Sequence, residues 1–172
     1  GDATVSAQAE EGRYKVTLKQ NPNATLTLSG SIGGISKPVT LSAYAADHYR
    51  IVAVVINGKR IDFDGGTYEI TGIREQTEVE VITDYIYYSI RIINYFDSDP
   101  SVSGGEVTAD KTSYTIADTV NFTLTVKAGV HLSSVTINYT TDITSEFIGK
   151  KYTYRGSGNI TIIANFETDK TG

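Results

Sequence analysis

The 172 residues carry 15 Lys and Arg against 20 Asp and Glu, a net charge of −5 with no basic cluster beyond Lys59-Arg60 and Lys150-Lys151. That balance argues against a nucleic-acid or anionic-membrane partner, since both are held by clustered cations. The chain has no Cys, no Met and no Trp, which excludes disulfides, thiolate metal sites and cysteine nucleophiles and agrees with a processed, exported chain or an excised piece of one.

Taken in chain order, residues 1–13 are small and acidic, with a short alternating piece at Thr4-Val5-Ser6, and read as an N-terminal arm or linker. Tyr14, Val16 and Leu18 then fall on one face and Lys15, Thr17 and Lys19 on the other, the period of a half-buried strand. Asn21-Pro22-Asn23 turns this strand into "ATLTLSG". After Gly33-Gly34 come "PVTLSAY" and, past a turn at Asp47, "RIVAVVING". Asn57-Gly58 is a two-residue hairpin signal, because a type I′ turn needs positive φ at both central positions. "TYEITG" and "EVEVITDY" complete the unit. Thr, Ile, Val and Tyr dominate throughout, and no apolar run has the ~3.6-residue period of a helix or the ~20-residue length of a membrane span.

The order then starts again. "YSIRIINY" repeats the opening strand, the "SGGEV…TINYT" stretch repeats "SIGG…VVING", and "KYTYRGSGNITIIANFE" repeats "TYEITGIREQTEVEVITDY". The register read from sequence sets Gly33-Gly34 against Gly104-Gly105, Val39 against Val120, and Tyr49 against His131. It also sets Ile56-Asn57 against Ile137-Asn138, Tyr68 against Tyr152, and Val79 against Ile160. A period near 80 residues suits small tandem domains better than a solenoid. The expected architecture is all-β: an arm at 1–13, one β unit at 14–86, a second at 87–168, and a tail at 169–172. The aromatic junction "TDYIYYSI" contains no Gly or Pro, so a stiff rod of two units is expected.

The stretch "GG…VTLSAYAADHYRIVAVVING…YEITGIREQTEVEVITDY" resembles the internalin-type B-repeat and related bacterial surface repeats. Tyr49, Ile51, Val54 and Ile56-Asn57-Gly58 fill the middle of that pattern. His48 stands where Gly usually precedes the Tyr, and Val54 replaces the usual Trp. The second unit departs further, with Tyr139 after Asn138. The resemblance implies a small β-grasp-like or compact β fold and a spacer or adhesion role, and it carries no catalytic residues.

The candidate chemistry is thin. His48 and His131 lack a neighbouring activated Ser or Thr in any nucleophile-elbow signature and read as turn-edge residues. Asp62 with Asp64, and Asp97 with Asp99, sit in turn-forming stretches that could offer oxygens to calcium. Neither continues as a calcium loop, and turns use Asp and Gly for their own hydrogen bonds and positive φ. Asn23, Asn121, Asn138 and Asn159 each begin an Asn-x-Thr sequon and are candidate glycosylation sites. Tyr14, Tyr49, Tyr68 and Tyr152 fit core positions, while Tyr44, Tyr95 and Tyr139 lie near turns. No catalytic, cofactor or metal site is expected. The expected role is a non-enzymatic extracellular or cell-surface module, a spacer or protein-interaction surface. The alternative is a self-assembling subunit of a filament or virion whose arm donates a strand to a neighbour. A protein partner or self-association is expected, with neither nucleic acid nor membrane insertion; the absence of Trp disfavours glycan binding.

Overall fold

The structure, a computed structural model, describes residues 12–96 and 104–169. The chain divides between Ile86 and Tyr87 into two compact units, and both are β throughout. The first holds β1 (Tyr14–Leu18), β2 (Ala24–Leu28), β3 (Ile32–Gly33), β4 (Val39–Ala45), β5 (Tyr49–Ile56), β6 (Lys59–Asp62), β7 (Gly66–Ile70) and β8 (Thr77–Tyr85). The second holds β9 (Tyr88–Phe96), β10 (Gly105–Ala109), β11 (Ser113–Tyr114), β12 (Val120–Val126), β13 (Val130–Ile137), β14 (Thr141–Asp142), β15 (Lys151–Tyr154) and β16 (Ile160–Thr168).

Each unit is built the same way. A five-stranded sheet runs β3-β1-β8-β5-β6 in the first and β11-β9-β16-β13-β14 in the second. A three-stranded sheet runs β2-β4-β7 in the first and β10-β12-β15 in the second. In both, the first and last strands are the parallel pair, β1 with β8 and β9 with β16, and every other pairing is antiparallel. A parallel pair needs a long crossover, and here the rest of the unit supplies it. What covers each five-stranded sheet is a second sheet, not a helix. Among the described residues, helical geometry is confined to a 3₁₀ turn at Thr144–Phe147 that seats Phe147 in the second core.

Alternation places the cores. Val39, Leu41 and Ala43 of β4 point inward, as do Val120, Phe122 and Leu124 of β12, each facing the five-stranded sheet across the sandwich. Opposite them lie Val16, Ile51, Val54, Val79 and Val81 in the first unit and Ile160, Ile162, Ala164 and Phe166 in the second. Burying a Phe or Leu side chain fully is worth about 1.5–3 kcal/mol, so these rows dominate the stability of units too small to bury more.

The shared topology corrects three details of the repeat register. Tyr49 pairs with Tyr85 and Val130 with Thr168, so Tyr49 corresponds to Val130, and His131 corresponds to Arg50. His48 corresponds instead to Gly129, and both hold positive φ, 73° and 81°. Ile56 pairs with Val79 and Ile137 with Ile162, so Val79 matches Ile162 and not Ile160. Gly33-Gly34 is not the counterpart of Gly104-Gly105. Gly33 pairs with Tyr14 where Tyr114 pairs with Tyr88, whereas Gly105 begins β10, the equivalent of β2. The physical reason is a volume exchange. A Cβ on Gly33 would meet Ile73 Cδ1 at 2.4 Å, so Ile73 fills the space that the Tyr114 ring occupies in the second unit. One irregularity is shared as well: both long strands shift register early, between Ile51 and Ala53 and between Leu132 and Ser134.

Candidate functional site

The most distinctive polar constellation is the Ile-Asn turn that both units carry. Asn57 and Asn138 take positive φ, 50° and 51°, and donate their backbone N–H to Glu78 O and Thr161 O at 3.0 and 2.8 Å. Their side-chain Oδ1 accepts from the same residues' N–H, at 2.7 Å from Glu78 and 2.8 Å from Thr161. Asn57 Nδ2 adds a bond to Gln76 O at 3.1 Å. Asn suits this place because it tolerates the left-handed region and its short amide mimics a backbone group. The turn thus fastens the β5-to-β6 hairpin to β8, and the β13-to-β14 hairpin to β16. In the second unit Tyr139 follows at φ 65° where the first has Gly58, leaving an exposed aromatic in strained backbone.

Among the described residues, the ionisable side chains gather in small, exposed sets. Asp62 and Asp64 are exposed and line an open recess of about 460 Å³ with Arg50, Ile51, Val52 and Phe63. Phe63 between them turns inward onto Tyr68, ring centroids 5.9 Å apart. Among the described residues, no group of three or more His, Asp or Glu comes together that could hold a metal ion. Asp97 and Asp99 lie outside the described residues. His48 occupies a turn, where its carbonyl accepts the Ile86 N–H at 2.9 Å. His131 sits between two carboxylates, Nδ1 at 2.8 Å from Asp169 Oδ1 and Nε2 at 3.7 Å from Glu167 Oε2, on a half-exposed surface. The two histidines belong to different units and different positions of the repeat.

Two carboxylates are held ionised by local bonds. Asp110 accepts from the Asn121 N–H and Nδ2, each at 3.0 Å, and these bonds hold its carboxyl below the usual range. Asp142 is lowered likewise by the Thr144 hydroxyl and N–H. Both are turn fasteners. The sequon asparagines are also employed structurally. Asn121 joins Asp110 and accepts from the Thr153 hydroxyl at 3.2 Å, Asn138 forms the turn clamp, and Asn159 accepts the Ser89 N–H at 3.0 Å. These three are exposed, while Asn23 is half-buried and its carbonyl takes the Ala46 N–H.

Tyr14, Tyr49, Tyr68 and Tyr152 are half-buried. Tyr14 and Tyr68 pack against the first core and Tyr152 against the second, whereas Tyr49 is not part of the core packing and meets the Tyr85 ring instead, centroids 5.0 Å apart. Burial, then the Tyr85 hydroxyl beside it, pushes the Tyr49 hydroxyl up, and burial and the nearby Glu146 charge do so for Tyr152. The tyrosine fully inside is one that strand periodicity did not single out. Tyr114 is completely buried, donates to Gly158 O at 2.6 Å, and has its ionisation pushed well above the ordinary range by burial. Its strand β11 has only two residues, too few to show alternation. Tyr44 and Tyr139 are exposed, as is Tyr87, and Tyr95 is half-buried.

The sheet edges differ between the units. Val107 of β10 points its N–H and C=O away from β12, and the Asn94 side chain takes both, Oδ1 accepting at 2.9 Å and Nδ2 donating at 3.4 Å. Leu26 is its counterpart in β2, opposite Ala43 as Val107 is opposite Leu124. The residue of β1's extension that corresponds to Asn94 is Gln20, which is exposed, and Asn21 turns instead to Val81 O at 3.0 Å and the Thr83 hydroxyl at 3.2 Å. No described residue caps Leu26. No protein-family model, no curated protein and no solved structure matches the chain.

Proposed function

We propose that this chain is a non-enzymatic module of an exported bacterial protein, in which tandem β units serve as a spacer or protein-interaction surface outside the cell. One observation carries the reading: the two units repeat strand order, parallel closure and Asn turn clamp, while their polar side chains are spent on turns and edges. A repeated unit whose polar groups fasten its own backbone is suited to transmitting position and presenting surface. Catalysis would ask for polar groups converging on one cleft. The resemblance to bacterial surface repeats points the same way.

A second reading is favoured by the uncapped β2 edge. There the chain is a self-assembling subunit of an extracellular filament or virion, and the N-terminal arm supplies a strand to a neighbour. The first reading is tested by coating beads with the chain and measuring attachment to extracellular-matrix proteins and cell surfaces, beside a broad hydrolase screen in solution. Attachment that needs the folded chain, without turnover, is expected. Turnover that a single substitution abolishes in a folded chain would overturn it.

A further inference from the structure

Strands that end a sheet expose a row of unpaired N–H and C=O groups, and proteins blunt them with charge, Gly, Pro, short length or a covering group. Seven of the eight edges among the described residues follow that rule. β6 carries Lys59, Arg60 and Asp62, β7 carries Glu69, and β15 carries Lys151. β3, β11 and β14 have two residues each. β10 carries Glu106 and is capped by Asn94. β2 is Ala-Thr-Leu-Thr-Leu, five residues without charge, Gly or Pro, and no described residue gives it the cap its duplicate has.

The groups left open on β2 follow from its pairing. Asn23, Thr25, Thr27 and Ser29 face β4, as the Ala46-to-Asn23 and Ser29-to-Thr40 bonds show, so Ala24, Leu26 and Leu28 face outward. The Ala24 N–H is taken by Asn21 O, which leaves the N–H groups of Leu26 and Leu28 and the carbonyls of Ala24, Leu26 and Leu28 without a partner among the described residues. The burial pattern, though not the residue type at the two ends, reads the same in both directions from Leu26. Leu26 is buried beneath the sheet with Ala24 and Leu28 half-buried on either side, and Thr25 and Thr27 are exposed on the other face.

We propose that β2 is a self-association edge: it pairs antiparallel with β2 of a second copy about a two-fold axis through Leu26, joining the two three-stranded sheets into one. Two-fold pairing requires a patch complementary to itself, and this one is. Each Leu26 N–H would reach the second copy's Leu26 carbonyl, and each Leu28 N–H the second copy's Ala24 carbonyl. The Ala24 N–H, already spent on Asn21, is the one donor in each copy that does not reach its opposite number, the second copy's Leu28 carbonyl. Thr25 lies opposite the second copy's Thr27, a favourable cross-strand pair. The inference rests on the interaction-surface reading and names the partner and the edge.

The test is light scattering across a concentration series from about 10 µM to 1 mM, since an interface of one strand pair falls at the small end of specific contacts. The full chain is expected to rise from 18.6 kDa towards twice that mass. T25K/T27K sets like charges opposite each other and is expected to leave a monomer, while T25K/T27E sets opposite charges in register and is expected to restore the dimer. Both positions are exposed, and unchanged urea midpoints would show that folding is intact. Deletion of residues 1–11 is expected to leave the dimer in place. A monomer at every concentration overturns the proposal, as does association that the deletion abolishes, which would assign the edge to the arm. If matrix attachment persists in a chain that stays monomeric, the functional reading survives and only the β2 dimer fails.

Discussion

Replacing Asn57 separates the two jobs that its turn position combines. Its Oδ1 accepts the Glu78 N–H at 2.7 Å, and its backbone sits at φ 50°. The side chain is exposed, so water replaces part of the lost bond and the net loss is about 1 kcal/mol. An Ala in the left-handed region costs at least ~1 kcal/mol more, because its Cβ crowds the following carbonyl and it has no amide to compensate. N57A is therefore expected to destabilise the first unit by about 2 kcal/mol. N57G loses the bond but suits the backbone, and should cost about 1 kcal/mol. N57D keeps the acceptor and loses the Nδ2 bonds to Gln76 O and Glu75 Oε1; its charge lies beside Glu75 on an exposed surface, where water screens the repulsion, so it should cost least. Urea unfolding followed by circular dichroism reads the series: with a slope of about 1–2 kcal/mol per molar, N57A should lower the midpoint by ~1–2 M. The order Asp, Gly, Ala should recur at Asn138, whose Oδ1 accepts the Thr161 N–H at 2.8 Å. N57A no worse than N57G would refute the backbone contribution, and N57D as damaging as N57A would refute the clamp.

Three further outcomes are expected. G33A places a Cβ 2.4 Å from Ile73 Cδ1 and 3.1 Å from Lys37 O, and should cost about 1–3 kcal/mol by overpacking, with G33A/I73V recovering part of it in the same urea assay. Y139G relieves φ 65° at a side chain 66% exposed, and should raise the stability of the second unit by roughly 1 kcal/mol in thermal unfolding. Asp110 is held below its ordinary pKa by bonds to Asn121, so its contribution is complete above the unfolded value near 4 and is lost as pH falls through the lower folded value. An acid titration of stability should therefore fall less steeply in D110N than in the parent chain, and identical slopes would count against the Asn121 bonds.

Much of the fold was legible because strand periodicity is local. The alternation of β4 and β12, the Asn57-Gly58 hairpin and the two-unit order all follow from neighbours a few residues apart. The repeat register slipped where the units compensate at a distance. Gly33 answers to Tyr114 because Ile73, 40 residues further along the chain, fills the gap, and no local pattern announces such an exchange. The buried Tyr114 and the 3₁₀ turn that seats Phe147 escaped for the same reason, each standing in an element too short to carry a period.

The functional candidates divide along the same line. Residue type alone marked the sequons, the Asp pairs and the histidines, but whether they meet is a matter of topology. The structure sends His48 and His131 to separate units and spends Asn121, Asn138 and Asn159 on backbone and turn contacts. Composition and periodicity by themselves determined that this chain is a pair of β units, because burial on one face of a strand is written every second residue. Which edge is capped and which is left open was decided only by tertiary structure. It depends on whether an amide 13 residues away, Asn94 for Val107, arrives within hydrogen-bonding distance of a backbone that has no other partner.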